Sequence, residues 1–503
     1  MQLFKAKQCA LSDTALSSSE HLAKGLSRRQ FGLTAAAALA MPTALRAHGS
    51  PKITSKGTYD ITVDRVRIDT GNFRKMGVGY NKSQIPTILR FKEGEEVTIN
   101  VTNNLRESTS IHWHGLILPF EQDGVPGISF NGIAPGETFT YRFPIQQAGT
   151  YWFHSHSGFQ EQLGHYGQLI VEPAAKDPVE YDIEHSIVLS DWTVEDPEKI
   201  FAKLKKIEGY YNFQRPVLAN LAKQARNTNK RLGQVIAKRW KWNRMRMDPT
   251  DLLDVTGATY SYLINGHAAH ENPTFLAKPG QRVRLRLTNA SAMTYFDVRI
   301  PGLPMTVVQA DGQNVEPVEV DEFQIGVAET YDVVVTPGEQ QAYTLVAESV
   351  DRSGMGIATL ASAPGARAAI PPLRDPPLLT MADMGMSGMD HGAGSNDAGM
   401  TGMDHGAGGM AGMDHGSSGA AGADGMSGMD GGSAEMAGMA GMAGGMQMRD
   451  TSLLPPDVKV GPGLDMVSMN PVDRMGDPGI GLADVPHRTL DYRKLRSLTP
   501  HQG

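Results

Sequence analysis

Two short histidine pairs, His112-Trp113-His114 and His154-Ser155-His156, carry the clearest chemistry in this chain. Side chains at i and i+2 of a β-strand project from one face, so each pair aims two imidazoles at one point, and adjacent strands would gather four. Neutral imidazole ligates copper, zinc, iron or nickel, so the pairs alone indicate a metal site without naming the metal. A lone histidine is most often a satisfied structural residue. Two alternating pairs in one region read better as clustered ligands.

The elements that must position these pairs are strands. From Ile53 to Pro173 the sequence runs in short alternating stretches such as Val97-Thr98-Ile99-Asn100-Val101, broken by Gly and Pro turns, the pattern of an all-β sandwich. A second such region runs from about Tyr181 to Ala363 and is a copy of the first. Gly94-Glu95-Glu96-Val97-Thr98-Ile99-Asn100-Val101-Thr102-Asn103 matches Gly280-Gln281-Arg282-Val283-Arg284-Leu285-Arg286-Leu287-Thr288-Asn289, and Glu137-Thr138-Phe139 matches Glu329-Thr330-Tyr331. Carrying that register forward puts Val346 opposite His154 and Glu348 opposite His156, while the stretch aligned with the first pair reads Phe296-Asp297-Val298-Arg299. The second copy lacks the histidines. What one copy has and its twin lacks is not demanded by the fold, which favours function as the reason for it.

Within the second copy, residues 197–247 read as helical, with Ile200, Phe201, Leu204 and Ile207 at helical spacing and again Leu218 with Leu221. From Lys199 to Arg246 this insert holds fourteen Lys and Arg against one acid, Glu208, and is expected to present a solvated basic face rather than a site for an acidic partner.

Residues 381–448 are of different material, with 15 of the 26 methionines, 21 glycines, and no Lys, Arg or aromatic residue. Such a stretch cannot bury enough surface to fold alone and is expected to be disordered. Its eight acids give it a charge of −8 within a total of −7, leaving the rest of the chain at about +1. Thioether sulfur is a soft donor that selects Cu(I), and the unit Gly-Met-Asp-His-Gly recurs at 388–392, 402–406 and 412–416. Met389, His391, Met403, His405, Met413 and His415 are therefore candidate auxiliary copper ligands, the alternative being a linker in which Met is incidental.

The N-terminus carries Ser27-Arg28-Arg29-Gln30-Phe31, an apolar stretch from Phe31 to Met41 and a small-residue end near Ala47, the order of a twin-arginine export signal. A periplasmic protein beginning near His48 is expected. The one cysteine, Cys9, lies inside that signal, so the exported chain would hold no thiol. No run of 18 apolar residues is present to span a membrane. Neither a membrane nor a nucleic acid is an expected partner.

With Gln122-Asp123-Gly124-Val125-Pro126 between them, the two histidine motifs resemble the first two copper signatures of the multicopper oxidases, and most of all the copper-resistance protein A family of the bacterial periplasm. The resemblance covers roughly residues 27–500, including the export signal, the Ser261-Tyr262-Leu263-Ile264-Asn265-Gly266 turn and the Met-rich stretch. It implies copper as cofactor, with oxidation of a substrate, often Cu(I), at a blue copper and reduction of dioxygen to water at a trinuclear cluster. By resemblance His112 binds the type 2 copper, His114 and His154 one type 3 copper, and His156 the other. The family carries its remaining ligands in a third β-domain bearing His-Pro-x-His-x-His and His-Cys-His. Neither motif occurs here: His267-Ala268-Ala269-His270 lacks the proline, has Asn272 where the third histidine belongs, and is read as structural.

The expected fold is mainly β: tandem cupredoxin-like Greek-key sandwiches, with the basic helical insert in the second. The expected organisation is a signal peptide at 1–47, a first domain with the histidine pairs at 48–175, a second at 176–370 with its insert at about 197–247, the Met/Gly/Asp/His-rich stretch at 371–448, and a linker at 449–503 toward an absent third domain. Three functions follow: a copper-detoxifying oxidase of Cu(I), a non-catalytic protein that sequesters copper through the Met-rich stretch, or an oxidase completed by another polypeptide. Copper ions, dioxygen if the chain turns over, and other periplasmic copper-handling proteins are the expected partners. Without a thiolate no blue copper site forms, so turnover by this chain alone is not expected.

Overall fold

The computed structural model describes residues 52–380, 383 and 473–499, except 56, 72, 216, 219, 220, 228–230, 245 and 246. The first sandwich is built from β1 (Lys52–Ser55), β2 (Thr58–Asp69), β3 (Arg74–Tyr80), β4 (Thr87–Lys92), β5 (Glu96–Asn103), β6 (His112–His114), β7 (Thr138–Pro144), β8 (Gly149–His154) and β9 (Tyr166–Glu172). One sheet runs β1-β2-β5-β7 with β3 on β2, and the other runs β4-β9-β8-β6. Alternation dictates the faces. Along β5, Val97, Ile99 and Val101 are fully buried while the residues between them are not, each burial contributing about 1.5–3 kcal/mol. They meet Trp113, Phe153 and Leu169 from the opposite sheet.

The second sandwich repeats the plan with β10 (Ile183–Trp192), β11 (Ser261–Ile264), β12 (His267–Ala268), β13 (Thr274–Leu276), β14 (Val283–Asn289), β15 (Phe296–Arg299), β16 (Met305–Ala310), β17 (Gln313–Val320), β18 (Glu322–Ile325), β19 (Thr330–Val335), β20 (Ala342–Ser349) and β21 (Met355–Ala361). In the first sandwich β2 pairs in parallel with β5 and β5 antiparallel with β7; in the second, β10, β14 and β19 do the same. Likewise β4-β9-β8-β6 corresponds to β13-β21-β20-β15. The internal repeat read from sequence is therefore a repeat of topology, and the tandem cupredoxin-like expectation holds.

Helices α1 (Pro197–Leu204), α2 (Leu221–Asn227) and α3 (Leu232–Arg244) form the insert between β10 and β11. Asp196 caps α1, its carboxylate accepting from the Glu198 N–H with Pro197 at the first position.

The polar face of β14 seals the two sandwiches together. Arg284 and Arg286 alternate with core residues Val283, Leu285 and Leu287, yet both arginines are buried. Arg286 donates to Asp332 at 2.9 Å, to Glu184 at 2.8 Å and across to Thr150 Oγ1 at 3.0 Å. Gln168 of β9 returns the contact, donating to the Arg286 carbonyl and to Thr288 Oγ1, each at 2.9 Å. Gly149 is required where β8 meets the second sandwich, because a Cβ there would stand 2.4 Å from the Gly312 carbonyl oxygen.

Residues 473–499 pack on the second sandwich through bridges Val315↔Ser497 and Glu322↔Thr489, with Leu482 and Leu490 buried. No helix among the described residues is long and apolar enough to cross a membrane.

Candidate metal centre

The histidine pairs lie on β6 and at the end of β8, which are antiparallel neighbours with His112 directly opposite His154. Trp113 and Phe153 turn inward to the core, so the histidines turn outward. One nitrogen from each of His112, His114 and His154 falls within a 4.8 Å cluster. His156 completes the group, its ring centroid 4.9 Å from those of both His112 and His154. All four residues read from the sequence are thus brought together.

Hydrogen bonds select the tautomers. The Asp123 carbonyl can only accept, so the His112 Nδ1 contact of 2.8 Å places the proton on Nδ1 and leaves Nε2 as the lone pair. His154 Nδ1 faces the Glu161 carboxylate at 3.0 Å and the Ser155 carbonyl at 3.3 Å, again acceptors, so its Nε2 is also free to ligate. That Nε2 lies 3.4 Å from His114 Nδ1. Two imidazole nitrogens on one tetrahedral ion, each at about 2.0–2.1 Å as for zinc, stand about 3.3 Å apart. The donor set and this spacing fit a bound copper ion.

The supporting residues are less evident in the sequence. Trp152 stacks on the His154 ring at 4.1 Å and 10°, and Trp152 is itself locked between the sandwiches with Tyr166, Val188 and Ala290. Gly124, at φ +78°, passes so close to β6 that a Cβ would lie 1.7 Å from the Ile111 carbonyl oxygen. This tight passage is what holds the Asp123 carbonyl on His112. Gln160 ties the loop after His156 to the approach to β6, accepting from Thr109 Oγ1 at 2.7 Å and donating to the Ser108 carbonyl at 2.9 Å. The His156 N–H donates to Ser110 Oγ at 3.0 Å. Asp123 and Gly124 sit in the motif between the pairs; Glu161 and Gln160 sit in none.

Burial, reinforced by His154, His112 and His156, pushes His114 down to about 4. Burial also lowers His112 against the opposing pull of Asp123, and lowers His156 with help from His154 and His112. These imidazoles are held neutral, the form that ligates. His114 also lines a groove of about 300 Å³ between the sandwiches, with Tyr151, Asp311, Glu329 and Thr330.

In the second sandwich the corresponding strands β15 and β20 carry no histidine. There Asp297 pairs across with Glu348, and Arg299 donates to the Glu348 carboxylate at 2.6 Å. Arg352 and Arg374 close the group on Asp297 at 2.6 and 3.2 Å. His267 meets Glu271 at 3.5 Å and belongs to no ligand cluster among the described residues. The candidate ligands Met389, His391, Met403, His405, Met413 and His415 lie outside the described residues.

The multicopper oxidase family profile matches residues 60–176, and a second profile of the same description matches residues 184–365. A copper resistance protein A homolog of Pseudomonas syringae pv. tomato (strain ATCC BAA-871 / DC3000) is 45% identical over 471 residues, 93% of this chain and 75% of that protein. Copper resistance protein A of Escherichia coli is 45% identical over 468 residues, with the same two coverages. Among solved structures, Fet3p, described as a multicopper oxidase that functions in iron import, aligns at TM-score 0.49 and 21% identity over 63% of this chain and 54% of its own. The chain belongs to the multicopper oxidase family, among relatives of copper resistance protein A, and copper is the cofactor of that family.

Proposed function

We propose that this chain acts in the periplasm in copper resistance, as the histidine-bearing part of an oxidase that converts Cu(I) to Cu(II) and reduces dioxygen to water. The observation that carries the reading is the convergence of His154 Nε2 and His114 Nδ1 at 3.4 Å, with His112 and His156 beside them. Bound copper would supply one-electron redox chemistry. The protein's own part is to present neutral imidazoles, to fix their tautomers through Asp123 and Glu161, and to wall the cluster with Trp152. The Ser27-Arg28-Arg29-Gln30-Phe31 motif supports export by the twin-arginine route.

Sequestration without turnover is the second reading, favoured by the cysteine count: Cys9 is the one thiol of the sequence and lies in the export motif region. Copper reconstitution of the purified protein separates the two. Oxygen uptake on adding Cu(I) supports the oxidase; several bound copper ions with no blue absorption and no oxygen uptake support sequestration. In either case the His154→Ala/His156→Ala double variant should lose copper from the folded sandwiches and keep the Cu(I) capacity of residues 381–448. Equal loss from both would overturn the assignment of the four histidines.

A further inference from the structure

The helical insert exposes more than charge. On α3, Val235 and Trp242 are buried, while Leu232, Ile236 and Trp240 are 49%, 48% and 63% exposed. Spaced at i, i+4 and i+8, these three form one stripe about 12 Å long. The loop before α2 extends it: Arg239 Nη1 donates to the Val217 carbonyl at 3.0 Å, and Val217, Leu218 and Phe213 are all strongly exposed. Exposed apolar side chains grouped on one helix face mark a binding surface more often than singly scattered ones do. No described residue covers it. The sequence that carries it, Lys199–Arg246, holds fourteen bases and a single acid, a net charge of +13.

We propose that this face is the docking surface for the chain's own Met-rich stretch, residues 384–448. That stretch holds fourteen methionines and seven acids with no Lys or Arg. Its charge is opposite to that of the insert, and its thioethers suit an apolar face containing Trp240 and Phe213, since sulfur–aromatic contacts are favourable. Its point of departure is adjacent: the Leu379 N–H donates to the Pro249 carbonyl at 2.8 Å, and Pro249 lies five residues beyond the end of α3. The described structure resumes at the same place, for Arg474 pairs with Asp383 at 2.9 Å. A tethered segment meets such a face at an effective concentration in the millimolar range for short connections, so weak contacts suffice. The inference is independent of the histidine cluster, and its failure would leave the proposed function untouched.

Tryptophan fluorescence tests it in the full chain. Trp113, Trp152, Trp192 and Trp242 are at most 2% exposed, so Trp240 is the residue that a small neutral quencher such as acrylamide reaches. The full chain should show weak quenching, rising several-fold when residues 384–448 are deleted, with the emission of the four buried tryptophans unchanged. The pair of charge reversals Arg231→Glu and Lys241→Glu should raise quenching in the full chain in the same direction. Equal quenching in the full and deleted chains would overturn the proposal. So would protection that survives the deletion and grows with protein concentration, which would assign the face to a second copy, and so would insensitivity to the charge reversals.

Discussion

The carboxylate of Glu161 stands 3.0 Å from Nδ1 of His154, so the imidazole that faces His114 is oriented by an acid from the loop beyond it. A carboxylate behind a ligating histidine fixes its ring and raises its basicity, and losing one typically weakens metal binding by about 10–100-fold. Glu161→Ala should show a loss of that order in competition with a copper chelator. Glu161→Gln should fall between, since it keeps an acceptor and loses the charge. An unchanged affinity in both would show that the contact does not serve the metal.

The copper-free protein should weaken in mild acid. His112, His114 and His156 all have folded-state values lowered chiefly by burial, His114 to about 4. Between the ordinary histidine value and that lowered one, the unfolded chain binds protons that the folded chain refuses. Stability therefore rises with pH across this window and declines as pH falls from about 6.5 toward 4. Thermal unfolding of the copper-free protein across that range checks the slope, and His114→Ala should flatten it.

Gly124→Ala should damage the metal centre without a change in any ligand. Left-handed backbone costs a residue with a Cβ about 1–2 kcal/mol, and here the new atom would also strike the Ile111 carbonyl. The loop must move, carrying the Asp123 carbonyl away from His112. Reduced copper stoichiometry with retained far-ultraviolet circular dichroism is the expected result.

Arg286→Ala should loosen the seal between the sandwiches. Removing one partner of a buried ion pair costs about 3–5 kcal/mol, and the low end applies because Arg284 still holds Asp332, at 2.8 Å from its Nε. Urea unfolding should show a lower midpoint and a loss of unfolding free energy of that size. Copper binding should fall with it, since Arg286 holds Thr150 on the strand that ends at His154.

What could be read from sequence was whatever has a local period. Strand alternation and the internal match located both sandwiches, and the i, i+2 spacing located all four histidines. Residues whose role depends on a distant segment carried no such signal. Arg284 and Arg286 alternate like solvent-facing residues, yet Asp177, Glu184, Asp332 and the first sandwich enclose them. Glu161 lies in a loop with no motif and gains its meaning when β8 and β6 pair. The helical insert was legible as basic, and the structure adds the exposed stripe of Leu232, Ile236 and Trp240, which charge counting does not register. The final stretch, with few apolar residues, gave no hint that Leu482 and Leu490 would be buried on the second sandwich.

The pairing of Asp383 with Arg474 has an evolutionary consequence. Because both ends of the intervening sequence are fastened at one spot on the second sandwich, the folded body is sensitive to where that sequence leaves and returns, and hardly to how much of it there is. For any loop tethered at both ends, closure costs only about 0.6 kcal/mol more for each doubling of its length. Copies of the Gly-Met-Asp-His-Gly unit can therefore be gained or lost by slippage in the gene with little penalty to folding. The number of Met and His residues in the repeats becomes adjustable separately from the scaffold that carries the four histidines.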